Sequence, residues 1–361
     1  MPRNNKNFYA LYIHVPFCEK KCKYCSFYSI SGNNNYIDSW LETLKREAKF
    51  YTGSRVKTIY IGGGTPSVLN LSQWDKLINI IRENFDINNL IEATCEANPN
   101  SLTRELVNFL RENFFTRVSL GVQSLNDDEL KTLGRLHDSR AAINAMNLIN
   151  ESGLNLSCDL IFAIPGQTLR TWADSLKQVI KFASHISTYQ LTLEPGTPLF
   201  REYDNDSLNY NGYKFYRYAQ YLLPLKNFLQ YEISNFAPPG YECLHNLSYW
   251  DHDNVIALGP SAVSYLDGVR LKNPPDIHKY FKLDKNLIQR EKLSVRENLI
   301  ELVILSLRTR FGVERNILLP EIEKVIMQMP SDLFIITPER ISLSKRGMRL
   351  GNSIWSELIG L

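Results

Sequence analysis

Through the first two-thirds of the chain, short runs of β-branched and aromatic residues alternate with longer stretches whose apolar positions recur at helical spacing. Runs at 9–15, 56–61, 90–95, 117–122, 155–162 and 187–193 have the length and composition of strands. Between them, Ile37, Trp40, Leu41, Leu44 and Ala48 share one helical face. Trp74, Leu77, Ile78 and Ile81 form another, with Ser72 as its candidate N-cap. Leu106, Val107 and Leu110 follow Thr103, and Ile143, Met146, Leu148 and Ile149 run to Gly153. Six strands with five or more intervening helices predict a parallel α/β assembly. Periodicity does not separate an open sheet from a barrel. Glycine and polar residues at 62–65, 96–99, 123–124 and 165–168 favour a barrel or partial barrel, because there the loops after the strands build the site.

Past residue 204 the pattern becomes aromatic-rich and irregular, and beyond Pro274–Pro275 a polar linker leads to a helical stretch at 295–307. Another helix candidate and strand-like pieces at 333–336 and 340–343 complete the tail. The expected units are 1–205, a partial barrel; 206–284, an extension; and 285–361, a mainly helical module of winged-helix type.

The 361 residues are 44% hydrophobic and 22% charged, which excludes disordered and collagen-like classes. A net charge of +3 gives no electrostatic footprint for nucleic acid, so none is expected as a partner. Residues 1–9 lead into no signal-peptide core, and the apolar run near 299–307 is broken by Glu301 and Ser306. A soluble, cytoplasmic chain in a reducing compartment is expected. Clustered thiols in that setting point to metal or redox chemistry rather than disulfides.

Three of the six cysteines lie within eight residues, in YIHVPFCEKKCKYCSF at 12–27. Cys18, Cys22 and Cys25 can supply three thiolates to a 4Fe–4S cubane, leaving its fourth iron open to another ligand. Zinc is the competing reading, although a structural zinc site takes four protein ligands. Cys95, Cys158 and Cys243 read as buried small hydrophobes. The sequence Gly62-Gly63-Gly64-Thr65-Pro66 closes the second strand, where glycines let the backbone approach a ligand.

The cysteine spacing after the first strand resembles the radical S-adenosylmethionine (SAM) superfamily. Thr65 stands where that superfamily more often has Glu, which narrows the likeness. The segments HVPFCEKKCKYCSF, IYIGGGTPS, CEANPNSL, RVSLGVQS, LGRLHD, DLIFAIPGQT, LEPGTPL, YEISNFA and HNLSYW, in order, resemble the oxygen-independent coproporphyrinogen III oxidase family and, within it, its heme chaperones. The resemblance implies a partial (β/α)6 barrel with a C-terminal helical domain. It also implies a 4Fe–4S cluster on Cys18, Cys22 and Cys25, and SAM contacts from Tyr12, Gly63, Gly64, Thr65, Glu96, Gln123, Arg135 and Asp159. Carboxylates such as Glu96 and Asp159 can accept from ribose hydroxyls or an ammonium, and Arg135 can pair with a carboxylate. Solvated or otherwise paired side chains are the alternative.

Three departures separate the chaperone branch from the decarboxylases. Phe27 occupies the place of the enzymes' fourth cysteine, and only 17 residues precede Cys18 where the enzymes carry a longer extension. His245-Asn246-Leu247-Ser248-Tyr249-Trp250 matches the H-N-x-x-Y-W segment of the chaperones. Imidazole is a common axial ligand of heme iron, and Tyr249 and Trp250 offer flat faces to a porphyrin. The alternatives are a histidine packed among aromatics, or Cys243 as the ligand. The implied function is to bind heme and pass it to apo-hemoproteins, with the cluster and SAM serving assembly, dimerisation or control of transfer. A homodimer and transient membrane association fall within what the resemblance allows. Radical decarboxylation of coproporphyrinogen III is the alternative function.

Overall fold

The computed structural model describes residues 8–32, 34–203 and 205–359. Six parallel strands lie in chain order across one curved sheet: β1 (Tyr9–Val15), β2 (Ser54–Gly63), β3 (Glu92–Ala97), β4 (Arg117–Gln123), β5 (Asn155–Phe162) and β6 (His185–Gln190). Each crossover carries a helix: α1 (Ile37–Ala48), α2 (Leu71–Asn84), α3 (Arg104–Glu112), the pair α4 (Asp127–Leu133) and α5 (Ser139–Ser152), and α6 (Leu169–Val179). This is the expected partial (β/α)6 barrel.

Local chemistry sets the helix starts. Thr103 accepts from Leu106 N at the head of α3, and Asp138 accepts from Ala141 N at the head of α5, which ends at left-handed Gly153 (φ +82°). For α2 the cap is Asn70 and not Ser72. Its side chain accepts from Gln73 N while Gln73 returns the bond to Asn70 N, a reciprocal box that satisfies two orphan donors where Ser72 would satisfy one. The inner helix faces bury Trp40, Trp74 and Trp172 completely against the sheet.

Residues beyond 205 extend the sheet at both edges. After α7 (Pro198–Glu202), the stretch read from sequence as irregular begins with an 18-residue helix, α8 (Asn205–Leu222). Strand β7 (Asn235–Ala237) then adds antiparallel to β6. Helix α9 (Leu244–Trp250) precedes β8 (Val255–Leu258), which pairs parallel to β1, with Ala10 opposite Val255. Strands β9 (Val263–Leu266), β10 (Val269–Lys272) and β11 (Gln289–Lys292) continue from β8 as an antiparallel meander. Helix α10 (Ile277–Lys282) returns to α1. One hydrophobic core runs from Leu11 to Tyr280. A second joins α11 (Val295–Leu307), α12 (Pro320–Gln328), α13 (Lys345–Arg349) and α14 (Gly351–Ile359) around a three-stranded antiparallel sheet of 313–314, 334–336 and 340–343. Among the described residues no helix is long and apolar enough to cross a membrane.

Glu47 on α1 ties the closing elements to the barrel. Its buried carboxylate accepts from Tyr280 Oη (2.6 Å), Asn273 Nδ2 (2.6 Å) and Gly259 N (3.0 Å). Burial pushes this carboxyl up to about 7, the three donors opposing the rise. Because its folded value lies above the unfolded one, the fold favours the neutral acid. That contribution is complete below the unfolded carboxyl value and is lost as pH rises through about 7. Glu47→Gln is therefore expected to flatten the dependence of urea midpoint on pH between about 5 and 8. Identical slopes for the variant and the native chain would contradict this.

Candidate functional site

The carboxyl ends of the strands converge on a cavity of about 420 Å³ inside the barrel. Its rim is the loop after β1. The loop is pinned by Lys23, whose N–H donates to Leu133 O (3.0 Å) and whose carbonyl accepts from Leu199 N (3.0 Å). Cys18, Cys22 and Cys25 are free, partly exposed and all face this cavity. Among the described residues no three His, Cys, Asp or Glu side chains are grouped tightly enough to hold a single metal ion. The donor set fits a larger, sulfur-ligated group: three thiols on one short loop, two of them served by side-chain donors. Arg135 Nη1 donates to Cys22 Sγ at 3.2 Å, and Thr65 Oγ1 to Cys18 Sγ at 3.5 Å. Burial pushes the Cys25 thiol up, opposed by a hydrogen bond from the Phe27 backbone.

The Gly-rich turn lies against that rim. Gly63 holds φ +108°, and a Cβ there would run into the His14 ring. A Cβ on Gly64 would lie 2.6 Å from Phe17 O, and the Gly64 N–H donates to Val15 O at 2.8 Å. Neither position admits a side chain, so the backbone itself forms the cavity wall. Glu96 accepts from Gly63 N (2.9 Å) and Tyr60 Oη (2.8 Å), while Asp159 accepts from Ser119 Oγ at 3.0 Å. Enclosure in the barrel raises both acids, Glu96 to about 7 and Asp159 to about 6. At neutral pH the pair can accept from, or pair with, hydroxyls and cationic groups. Gln123 sits at the end of β4 in a left-handed conformation (φ +65°), beyond a register shift that aims it inward.

The three cysteines, Gly63, Gly64, Thr65, Glu96, Gln123, Arg135 and Asp159, all singled out from sequence, thus meet at one cavity, joined by Phe27 and Cys243. Tyr12 does not line it. Its ring stacks behind Tyr60 at 6.3 Å, and its hydroxyl bonds to His14 Nδ1 at 3.0 Å. The sequence reading missed Tyr60, Arg117, Ser119, His185, Ser187 and Asn98, which line the cavity too. A signal existed: Thr94/Glu96/Asn98, Arg117/Ser119/Gly121/Gln123, Ser157/Asp159 and His185/Ser187/Tyr189 are polar or glycine at every second position, and in the first three strands the residues between them are apolar. In a barrel that alternation points inward.

The HNLSYW segment approaches the same cavity from the amino ends of the strands, where Cys243 and Asn246 join its lining. Helix α9 packs under the amino ends of the strands, its first turn capped by Glu92, which accepts from Leu244 N (3.0 Å) and His245 N (2.9 Å). The same carboxylate pairs with Arg117 at 3.1 Å. His245 is 1% exposed, stacks on Tyr60 at 5.2 Å, and bonds through Nδ1 to Thr58 Oγ1 (3.0 Å) and through Nε2 to Tyr249 Oη (3.3 Å). Burial lowers it to about 3, so the ring is neutral. In this structure the ring is packed among Thr58, Tyr60 and Tyr249. Trp250 lies under the Arg308 guanidinium at 4.4 Å, and the Cys243 thiol, raised by burial, points at Glu92 Oε1 (3.4 Å).

A family profile described as the radical SAM superfamily matches residues 12–179. The heme chaperone HemW of Lactococcus lactis subsp. lactis is 32% identical over 367 residues, 97% of each chain. HemW of Bacillus subtilis is also 32% identical, over 97% of this chain and 99% of the relative. HemW of Escherichia coli is 35% identical over 74% of each. Among solved structures, the coproporphyrinogen III oxidase HemN of Escherichia coli superposes with a TM-score of 0.86 over 99% of this chain and 91% of that one. At 23% identity that likeness speaks for the fold alone. With its barrel, its cysteine loop and relatives at this identity along nearly its whole length, the chain belongs to the HemW heme-chaperone family of radical SAM proteins.

Proposed function

We propose that this chain binds heme and delivers it to apo-hemoproteins, and that its barrel carries a 4Fe–4S cluster and SAM. Membership in the radical SAM superfamily implies those two cofactors. Cys18, Cys22 and Cys25 would hold the cluster, and Gly63, Gly64, Thr65, Glu96, Gln123, Arg135 and Asp159 would hold SAM. When bound, that pair supplies one-electron chemistry. The chain's own part is to anchor the cluster loop through Lys23, to keep two acids poised near neutrality, and to enclose the ligand within the strands.

The observation that favours a carrier over a decarboxylase is Phe27. It lies two residues past Cys25 at the cavity rim and is 69% exposed, an apolar ring where the enzymes are expected to have a further thiol. An uncovered aromatic beside a cavity suits the face of a porphyrin better than it suits water.

His245 is the proposed axial ligand, with Tyr249 and Trp250 beside it. Since both its ring nitrogens are engaged, ligation requires the ring to release Thr58 or Tyr249. The Tyr249 bond lies within α9, four residues from His245, so its release needs only a side-chain rotation. Heme titration should show His245→Ala weakened by about tenfold or more, the equivalent of ~1.4 kcal/mol. An unchanged spectrum and affinity would remove His245 from the role and direct attention to Cys243. Anaerobic incubation of the reconstituted chain with coproporphyrinogen III tests the alternative. Protoporphyrinogen with release of 5′-deoxyadenosine would overturn the chaperone reading.

A further inference from the structure

Two of the three cluster thiols accept from side chains, and both of those donors meet on one residue. Asn98, just past β3, stands between Arg135 and Thr65. Its Oδ1 accepts from Arg135 Nη2, and its Nδ2 donates to Thr65 Oγ1 at 2.9 Å. The amide can sit only this way round, because a guanidinium offers no acceptor. Having accepted from Asn98, the Thr65 hydroxyl directs its own proton to Cys18 Sγ. The arch from Cys22 to Cys18 is thus Arg135, Asn98, Thr65, and only a side chain with both an acceptor and a donor can stand at its centre.

The arch is braced. Asn98 N donates to Ser67 Oγ at 3.2 Å, and that hydroxyl bonds to Ser101 Oγ at 2.6 Å. Arg135 Nη2 also donates to Gly121 O at 2.8 Å. Room comes from Gly121, where a Cβ would lie 3.0 Å from Asn98 Oδ1 and 3.3 Å from Arg135 Nη2.

We propose that Asn98 is a positioning residue for the cluster, orienting the donors to Cys18 and Cys22 and thereby setting the cluster's reduction potential. A donor at a ligating sulfur withdraws charge from it. The reduced cluster carries one more negative charge than the oxidised one, so the donors stabilise it more and raise the potential. The positive charge of Arg135 acts in the same direction. This inference rests on the reading of the three cysteines as cluster ligands, and iron content tests that reading separately.

The experiment is an EPR-monitored redox titration of the anaerobically reconstituted full chain as native, Asn98→Ala, Thr65→Val and the double variant. The variants are expected to load native amounts of iron and sulfide and to titrate at more negative midpoints. Asn98→Ala should shift at least as far as Thr65→Val. The double variant should go no further than Asn98→Ala alone, since Asn98 acts on Cys18 through Thr65. A fully loaded Asn98→Ala protein at the native midpoint, or additive shifts in the double variant, would overturn the proposal. If Asn98→Ala loads no iron, Thr65→Val decides, and a native midpoint there overturns it equally. A native chain that takes up no cluster would instead sink the reading of the cysteines.

Discussion

Replacing Glu92 by alanine should lower the free energy of unfolding by about 3–5 kcal/mol, the cost of breaking a buried ion pair from one side. The Glu92 and Arg117 side chains are 5% and 4% exposed and 3.1 Å apart, so alanine leaves a buried guanidinium without its counter-charge. The same change strips two helix-start amides of α9 and the Cys243 thiol of their acceptor. Removing both charges with Glu92→Ala and Arg117→Met should recover part of the loss, because the penalty lies in the orphaned charge more than in the missing attraction. Urea unfolding measures both variants against the native chain. A loss below about 1 kcal/mol for Glu92→Ala would mean that Arg117 finds new partners. Its Nη2 already donates to the Tyr241 and Glu242 carbonyls at 3.0 and 3.1 Å, the routes by which such compensation would run.

Substituting Cys22 by alanine should abolish retention of the cluster, taking iron and the visible chromophore of the anaerobically purified protein to near zero. Two remaining thiols on a short loop leave two irons of a cubane without protein ligands. The chain itself should stay folded, with stability within about 0.5 kcal/mol of the native apoprotein, because Cys22 is partly exposed and outside the core. Cys95→Ala is the informative contrast. Cys95 is fully buried in β3 within the core, so its loss should cost stability and leave the iron in place. Native iron content in Cys22→Ala would exclude that sulfur as a ligand.

These two tests probe opposite ends of one barrel, and the ends were not equally legible in the sequence. The upper end was, because its chemistry is local: three cysteines, a glycine run and the polar residues after each strand all lie in short loops. Strands β1 and β5 emerged with the expected bounds because their apolar runs are flanked by turn residues. The lower end was hidden because it is made by pairs far apart in the chain. The i, i+4 spacing of His245 and Tyr249 is visible within the HNLSYW segment, but nothing there reveals that Glu92 will cap it or that Thr58 will take the other ring nitrogen. Helix α8 is hard to read from sequence for another reason. Its tyrosines and asparagines blur the apolar stripe, and Gly212 within it reads as a break. In the fold that glycine is where the Gln190 side chain packs against the helix backbone. Tyr12, named by its motif, stacks behind Tyr60, a placement the motif does not reveal.

The pairing of β8 with β1 has a bearing on how the chain is made. Ala10 meets Val255, so one side of the first strand waits for a partner from the last third of the sequence. On a ribosome adding about 5–20 residues per second, that wait after β2 emerges is on the order of 10–40 s. Through it the apolar strand Tyr9–Val15 keeps one row of amides and carbonyls open to other chains. The cysteine loop hangs directly from the end of that strand. The strand pairing with the longest reach along the chain and the cysteine loop are therefore neighbours on one strand, so an edge left open during synthesis lies directly beside that loop.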